Sequence, residues 1–280
     1  MSDWTDVIQA ATTHDPLSGA VNTPIQLSST FNQPDFNHFG RFDYARSGNP
    51  TRESGEQAVA KLEHGKYGYL FSTGMAAISS VLFTLSAGDH IVVSKHVYGG
   101  TFRVLSDVLP RWGITHDFVD FTDLDAIESA IRPETKALYI ETPSNPVLNI
   151  TDIRSVVALA KSHGLITIAD NTFLSPFLQK PLDLGVDIVV HSATKFLSGH
   201  SDILAGVVVT NSRDLAEKIY FMQNAVGATL GVFDTWLLLR GIKTLGVRMA
   251  QSSQSAQKIA NYLSTHDKVE RVLYLSLIHI

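Results

Sequence analysis

The sequence predicts a doubly wound α/β domain on a mostly parallel sheet, and three observations predict it. Short apolar runs recur between helix-like segments from residue 67 to residue 210. These runs lack polar alternation, which requires helices over both faces of the sheet. Polar residues cluster directly after the runs, where open parallel sheets bind ligands.

The elements follow in chain order. Residues 1 to about 50 show little periodicity and are punctuated by Pro16, Gly19, Pro24, Pro34 and Gly48-Asn49-Pro50. They read as an extended arm rather than a domain of their own. Thr51 is placed to cap a helix carrying Val59 and Leu62, and Gly65 to end it. Strand 67–72 and helix 75–85, stopped by Gly88, come next, then strand 90–94 and helix 101–112. Strand 115–119, helix 124–131, strand 136–141 and helix 153–163 continue the alternation. Runs 165–169, 186–190 and 206–210 are further strands. The chain then reads as helical from 215 to about 264, with a last strand beginning at 269–275.

Composition bounds the function. The 280 residues are 44% hydrophobic and 18% charged, enough for one large domain or two smaller ones. The net charge is −5 with no basic cluster, which argues against a nucleic-acid partner. No apolar run approaches the ~20 residues of a membrane helix. The N-terminus lacks a signal-peptide pattern, so a cytoplasmic location is expected. The absence of cysteine excludes disulfides, a cysteine nucleophile and thiolate metal sites. The eleven histidines show no metal-ligand spacing, so no metal is expected; His191 and His200 read as structural or cofactor-adjacent.

Chemistry concentrates at the strand ends. Lys195 follows the run 186–190 through Ser192-Ala193-Thr194, and Asp170 ends the run 165–169. A lysine able to form a Schiff base and an aspartate able to hold a pyridinium nitrogen are what pyridoxal 5'-phosphate (PLP) chemistry needs most. The hydroxyls of Ser192 and Thr194 suit its phosphate. So does Ser72-Thr73-Gly74-Met75, a turn opening a helix with free N–H groups. Tyr98 is available to stack on a ring and to act as acid or base. A free lysine, with a pKa of ~10.4, is almost wholly protonated at neutral pH. Partial burial and nearby positive charge are expected to lower it. Each residue also has a plainer reading: a snorkelling lysine, a capping aspartate, a surface tyrosine, a simple helix cap. Neither a Walker-type loop nor Gly-x-Gly-x-x-Gly is present, which disfavours a nucleotide site.

The chain resembles the Cys/Met-metabolism family of PLP enzymes over residues 10 to 274. That family includes cystathionine γ-synthases, cystathionine γ- and β-lyases, O-acylhomoserine sulfhydrylases and methionine γ-lyases. The resemblance rests on Tyr44-Ala45-Arg46-Ser47-Gly48-Asn49-Pro50-Thr51, Ser72-Thr73-Gly74-Met75-Ala76-Ala77, Tyr98-Gly99-Gly100-Thr101, Glu141-Thr142-Pro143-Ser144-Asn145-Pro146, Asp170-Asn171-Thr172 and Ser192-Ala193-Thr194-Lys195, in that order.

The resemblance implies a type I, aspartate-aminotransferase-like fold. It implies an arm (1–50) reaching a neighbouring subunit, a PLP-binding domain (51–246) and the start of a C-terminal domain (247–280). Lys195 matches the Schiff-base lysine, Asp170 the pyridinium partner and Tyr98 the stacking tyrosine. Gly74 and Met75 match phosphate-binding N–H groups, with Ser192 and Thr194 beside them. Asn145 matches a contact to cofactor and substrate carboxylate, and Arg103 a substrate-side arginine. Tyr44 and Arg46 match residues that bind the neighbour's phosphate, an arginine fork suiting that task. The active unit is then at least a dimer, and a tetramer as a dimer of dimers.

The implied reaction is carbon–sulfur elimination on cystathionine-like amino acids in transsulfuration. Lys195 takes the α-proton and Tyr98 helps a γ substituent leave. The alternatives are γ-replacement, as in cystathionine γ-synthase or O-acylhomoserine sulfhydrylase, and an inactive PLP-binding fragment. An α/β phosphate-binding protein unrelated to PLP is the reading of another class. Gly100 stands where methionine γ-lyases usually carry cysteine, which disfavours that activity. Family members continue into a C-terminal domain bearing the substrate-carboxylate arginine, and Ser276-Leu277-Ile278-His279-Ile280 does not resemble that continuation. A chain shortened at its C-terminus is therefore expected.

Overall fold

Residues 3–15 and 17–275 are described by a computed structural model. Met1, Ser2, Pro16 and the segment 276–280 lie outside the described residues. Helices α1 (Asp3–Ala10) and α2 (Pro50–Leu62) precede β1 (Tyr67–Phe71), α3 (Gly74–Leu82), β2 (His90–Ser94) and α4 (Gly99–Arg103). A π-helical turn (Val104–Val108) and a 3-10 turn (Leu109–Trp112) lead to β3 (Thr115–Val119). Then come α5 (Leu124–Ala130), β4 (Thr135–Glu141), α6 (Ile153–Ser162), β5 (Ile166–Asp170) and the single turn α7 (Ser175–Leu178). A 3-10 turn (Pro181–Leu184), β6 (Ile188–Ser192) and β7 (Gly206–Thr210) follow. Helices α8 (Arg213–Val226), α9 (Val232–Ile242) and α10 (Leu245–Ser264) complete the described elements.

The strands form one seven-stranded sheet in the order β1-β7-β6-β5-β4-β2-β3. Strand β7 is antiparallel to both β1 and β6, and every other pair is parallel. All strands but β7 therefore point the same way, and their carboxyl ends share one rim.

Successive strand residues face opposite sides, so each strand supplies two cores. Leu138, Ile140, Val189, Val207 and Val209 join Val59, Val156, Leu238 and Leu245 of the helices on one face. Tyr139, Ile91, Val93, Val190 and Val208 join Ile78, Leu82, Leu105 and Ile219 on the other. This double burial explains why the strands read as unbroken apolar runs.

Several expected elements differ. The first residues of the arm are helical: α1 buries Val7 and sets Trp4 edge-on to Phe177 at 5.1 Å. Asn49, not Thr51, caps α2, its Oδ1 accepting the N–H groups of Thr51 and Arg52. Thr51 instead donates its hydroxyl to the Pro24 carbonyl. The helix expected over 101–112 breaks after Arg103, because Pro110 has no N–H to continue the ladder and the turn before it widens. The helical stretch after residue 213 is three helices: Gly227, left-handed at φ 80°, ends α8, and Gly231 caps α9. Residues 269–275 form no strand, having no neighbouring strand to take up their hydrogen bonds. The boundary expected after residue 246 falls inside α10, whose Leu245 and Met249 are buried in the core of the sheet domain.

Candidate active site

The common rim brings distant residues together. A cavity of ≈ 220 Å³ is lined by Gly74, Met75, Tyr98, Asn145, Asp170, Ser192, Thr194 and Lys195, all singled out in the sequence. Thr73, Ile78, Glu141, Pro143, Thr172, Phe173 and Leu204 complete its wall. Lys195 also lines a wider cleft of ≈ 990 Å³ that runs to Val247, Arg248 and Gln251 of α10.

One end of the cavity suits an anion. The Thr73 hydroxyl accepts the Ala76 N–H, and the first bond to the Thr73 carbonyl comes from Ala77. The N–H groups of Gly74 and Met75 precede that bond and carry the positive end of the α3 dipole. Gly74 lies so close to β6 that a Cβ there would stand 2.7 Å from Ser192 Cβ and 2.9 Å from its Cα. Only glycine lets α3 begin at this place. The Ser192 hydroxyl makes no hydrogen bond among the described residues, whereas Thr194 Oγ1 accepts the Ala205 N–H at 3.0 Å and donates to the Ala205 carbonyl at 3.3 Å.

The other end is acidic. Asp170 is 7% exposed at the end of β5. Its Oδ1 accepts the Thr172 N–H at 3.0 Å and hydroxyl at 2.6 Å, and Tyr139 donates its hydroxyl to Oδ2 at 3.4 Å. Thr172 Oγ1 in turn accepts the Ser192 N–H at 2.8 Å, tying the aspartate strand to the lysine strand. Burial pushes the Asp170 carboxyl up, against the Thr172 bonds and the charge of His191. A cation placed beside Asp170 would restore its charge. An anion seat, a buried carboxylate wanting a cation and an amine on one cavity wall fit a phosphorylated, protonatable aromatic aldehyde.

Lys195 departs from one expectation. Its side chain is exposed rather than partly buried. Its segment is nonetheless held: Gly199 N–H donates to the Lys195 carbonyl at 2.8 Å. Arg248 of α10 donates to the Phe196 carbonyl at 2.6 Å and to that of Gly241 at 2.8 Å.

Three residues singled out in the sequence do not line this cavity. Arg103 is exposed at the end of α4. Tyr44 and Arg46 are exposed, with the Arg46 guanidinium 5.6 Å from the Tyr44 ring centroid and donating to the Asn224 carbonyl at 2.5 Å. His191 faces away, its Nε2 2.6 Å from Oε1 of the equally buried Glu63. No cluster of metal-ligating side chains occurs among the described residues.

Sequence reasoning gave no role to Glu141, Thr172 or Arg248. Glu141 carries the signal that exposed Asp170, a carboxylate ending a buried apolar strand. Its Oε2 accepts the Tyr98 N–H at 2.8 Å and its Oε1 the Asn145 N–H at 3.0 Å. Burial, then the charge of Asp170, pushes its carboxyl up to about 8. Arg248 offered no local signal, since its contacts are made across the fold.

The family model described as Cys/Met metabolism PLP-dependent enzyme matches residues 4–279. A cystathionine beta-lyase of Bacillus subtilis is 53% identical over 280 residues, spanning 98% of this chain and 71% of that protein. A cystathionine gamma-lyase of the same species is 49% identical over 274 residues, spanning 98% of this chain and 72% of that protein. The crystal structure of a cystathionine gamma-lyase from Lactobacillus plantarum, complexed with L-serine, matches with a TM-score of 0.95 at 49% identity. That match covers 98% of this chain and 72% of the other.

Proposed function

This chain belongs to the Cys/Met-metabolism family of PLP-dependent enzymes, and we propose that it is a carbon–sulfur lyase cleaving cystathionine-like amino acids by elimination. Its cofactor is pyridoxal 5'-phosphate. The observation that carries the reading is the single cavity shared by Lys195, Asp170 and the start of α3.

When bound, the cofactor supplies an electron sink for bond cleavage next to the substrate's α-carbon. The chain's own groups do the rest. Lys195 Nζ would hold the cofactor and is the group placed to move the proton at the substrate Cα. The Asp170 carboxylate keeps the ring nitrogen protonated. The Gly74 and Met75 N–H groups, with the Ser192 and Thr194 hydroxyls, take the phosphate. Tyr98 offers an aromatic face and a hydroxyl for proton transfer, and Asn145 a contact to cofactor and substrate carboxylate. The C–S bond breaks to release a thiol, and the unsaturated amino acid that remains, once it has left the site, is hydrolysed by water to keto acid and ammonia.

The reading extends to a cytoplasmic homotetramer. In it Tyr44 and Arg46 bind a neighbour's phosphate and Arg103 lies on the substrate side. No helix among the described residues is long and apolar enough to cross a membrane.

The test is a visible absorption spectrum of the purified chain with added PLP, beside Lys195→Ala. The expected result is a band that borohydride removes and the variant lacks. A folded wild-type chain without that band would refute the assignment. Cystathionine should then yield keto acid and ammonia; a thioether made from O-acylhomoserine and cysteine would point to γ-replacement instead.

A further inference from the structure

Strand ends position Asp170 and Ser192 directly, but Tyr98 and Asn145 stand on loops that the sheet does not hold. Tyr98 opens α4 with no side-chain cap and is 47% exposed. Asn145 lies four residues past β4 in an irregular segment. One side chain joins the two. The Glu141 carboxyl is 6% exposed and takes the Tyr98 N–H on one oxygen and the Asn145 N–H on the other.

A carboxylate buried here is a costly choice. Burial and then the charge of Asp170 raise the cost of charging it. Each N–H falls on a different oxygen, and a carboxyl side chain offers both as acceptors in one rigid group, the hydroxyl oxygen of its protonated form keeping a lone pair. Glycine at 100 leaves room for the Tyr98 ring, since a Cβ there would stand 2.6 Å from the ring and 2.7 Å from Met75 Sδ.

We propose that Glu141 is a positioning residue, a two-pronged clamp that sets Tyr98 and Asn145 at a fixed separation across the mouth of the cavity. The clamp rests on the reading above in one respect: its benefit appears as cofactor affinity because those two residues face the cofactor. Glu141 exchanges no proton with substrate in this role. It acts only through the two backbone N–H groups.

The test is a mutant cycle read as PLP dissociation constants on the full chain. Glu141→Gln keeps the size but replaces one oxygen by an NH2 group, which has no lone pair to accept with, setting it against one of the two N–H groups. Losing such a bond weakens binding roughly tenfold or more. In a Tyr98→Ala/Asn145→Ala background the two N–H bonds remain but the side chains they position are gone, so the same substitution should change the constant roughly twofold or less. An equal loss in both backgrounds overturns the clamp and leaves the cofactor reading standing. A wild-type chain that binds no PLP overturns both.

Hydrogen exchange on the unsubstituted apo chain supplies a test that needs no variant. The Tyr98 and Asn145 amides should exchange slowly, against fast exchange at the exposed neighbour Gly99. Fast exchange at Tyr98 and Asn145 overturns the clamp whatever PLP does.

Discussion

Gly74 shows how narrow the tolerance of the site is at single residues. Any side chain there meets the backbone of Ser192, so Gly74→Ala must lift the start of α3 away from β6. The expected outcome is PLP binding weakened roughly tenfold or more, from loss of charge-assisted hydrogen bonds to phosphate. Pyridoxal, which lacks the phosphate, should lose far less; equal losses for both ligands would sink the assignment of α3 as the phosphate seat. Glu141 carries a pH signature. Its folded-state pKa stands at about 8, against 4.5 for the ordinary carboxyl. Between those values the folded chain holds a proton that the unfolded chain releases. This group's contribution to stability therefore falls as pH rises, by at most about 1.4 kcal/mol per pH unit. Urea unfolding of the apo chain at pH 5, 6 and 7, beside Glu141→Gln, isolates the effect. The wild-type advantage should shrink with pH, and a constant difference would contradict the shift.

Among the elements, α2 depends on the residue just before it. Asn49 is 1% exposed, accepts the N–H groups of Thr51 and Arg52, and donates to the Gln26 carbonyl at 2.9 Å. Asn49→Ala should cost about 1–2 kcal/mol, read as a lower urea midpoint at unchanged m-value. That cap was mistaken in the sequence for Thr51, because both residue types favour the position and Pro50 between them suits the first turn. Strands and short helices from 67 to 210 were legible because burial on both faces writes itself as apolar runs. The breaks after Arg103 and Val226 were not. A π turn and a left-handed glycine are settled by packing against the sheet, while local periodicity runs through them. The strand expected at 269–275 failed for the opposite reason: its apolar content is local, but a strand needs a partner. In the site, residues on strand ends were legible one by one. Those that act by holding others, such as Glu141, Thr172 and Arg248, needed three-dimensional contacts to be seen.

For the whole molecule, the order of strands matters more than their number. Strand β1 touches the sheet only through β7, and β7 alone runs against the rest. Phe71 and Ser192 both pair with Gly206, so the turn that opens α3 reaches the lysine segment across that single reversed strand. Gly206 leaves room for the crossing, since a Cβ there would stand 2.1 Å from the Thr73 carbonyl oxygen. This arrangement sets a sequence of events during synthesis. The anion seat leaves the ribosome early and the lysine much later, and the two remain unconnected until β7 emerges and slots between their strands. Closing so long a loop is entropically slow. A nascent chain is thus expected to gain this cavity only once β7 has joined the sheet, and capture of PLP by a ribosome-bound chain would time that step.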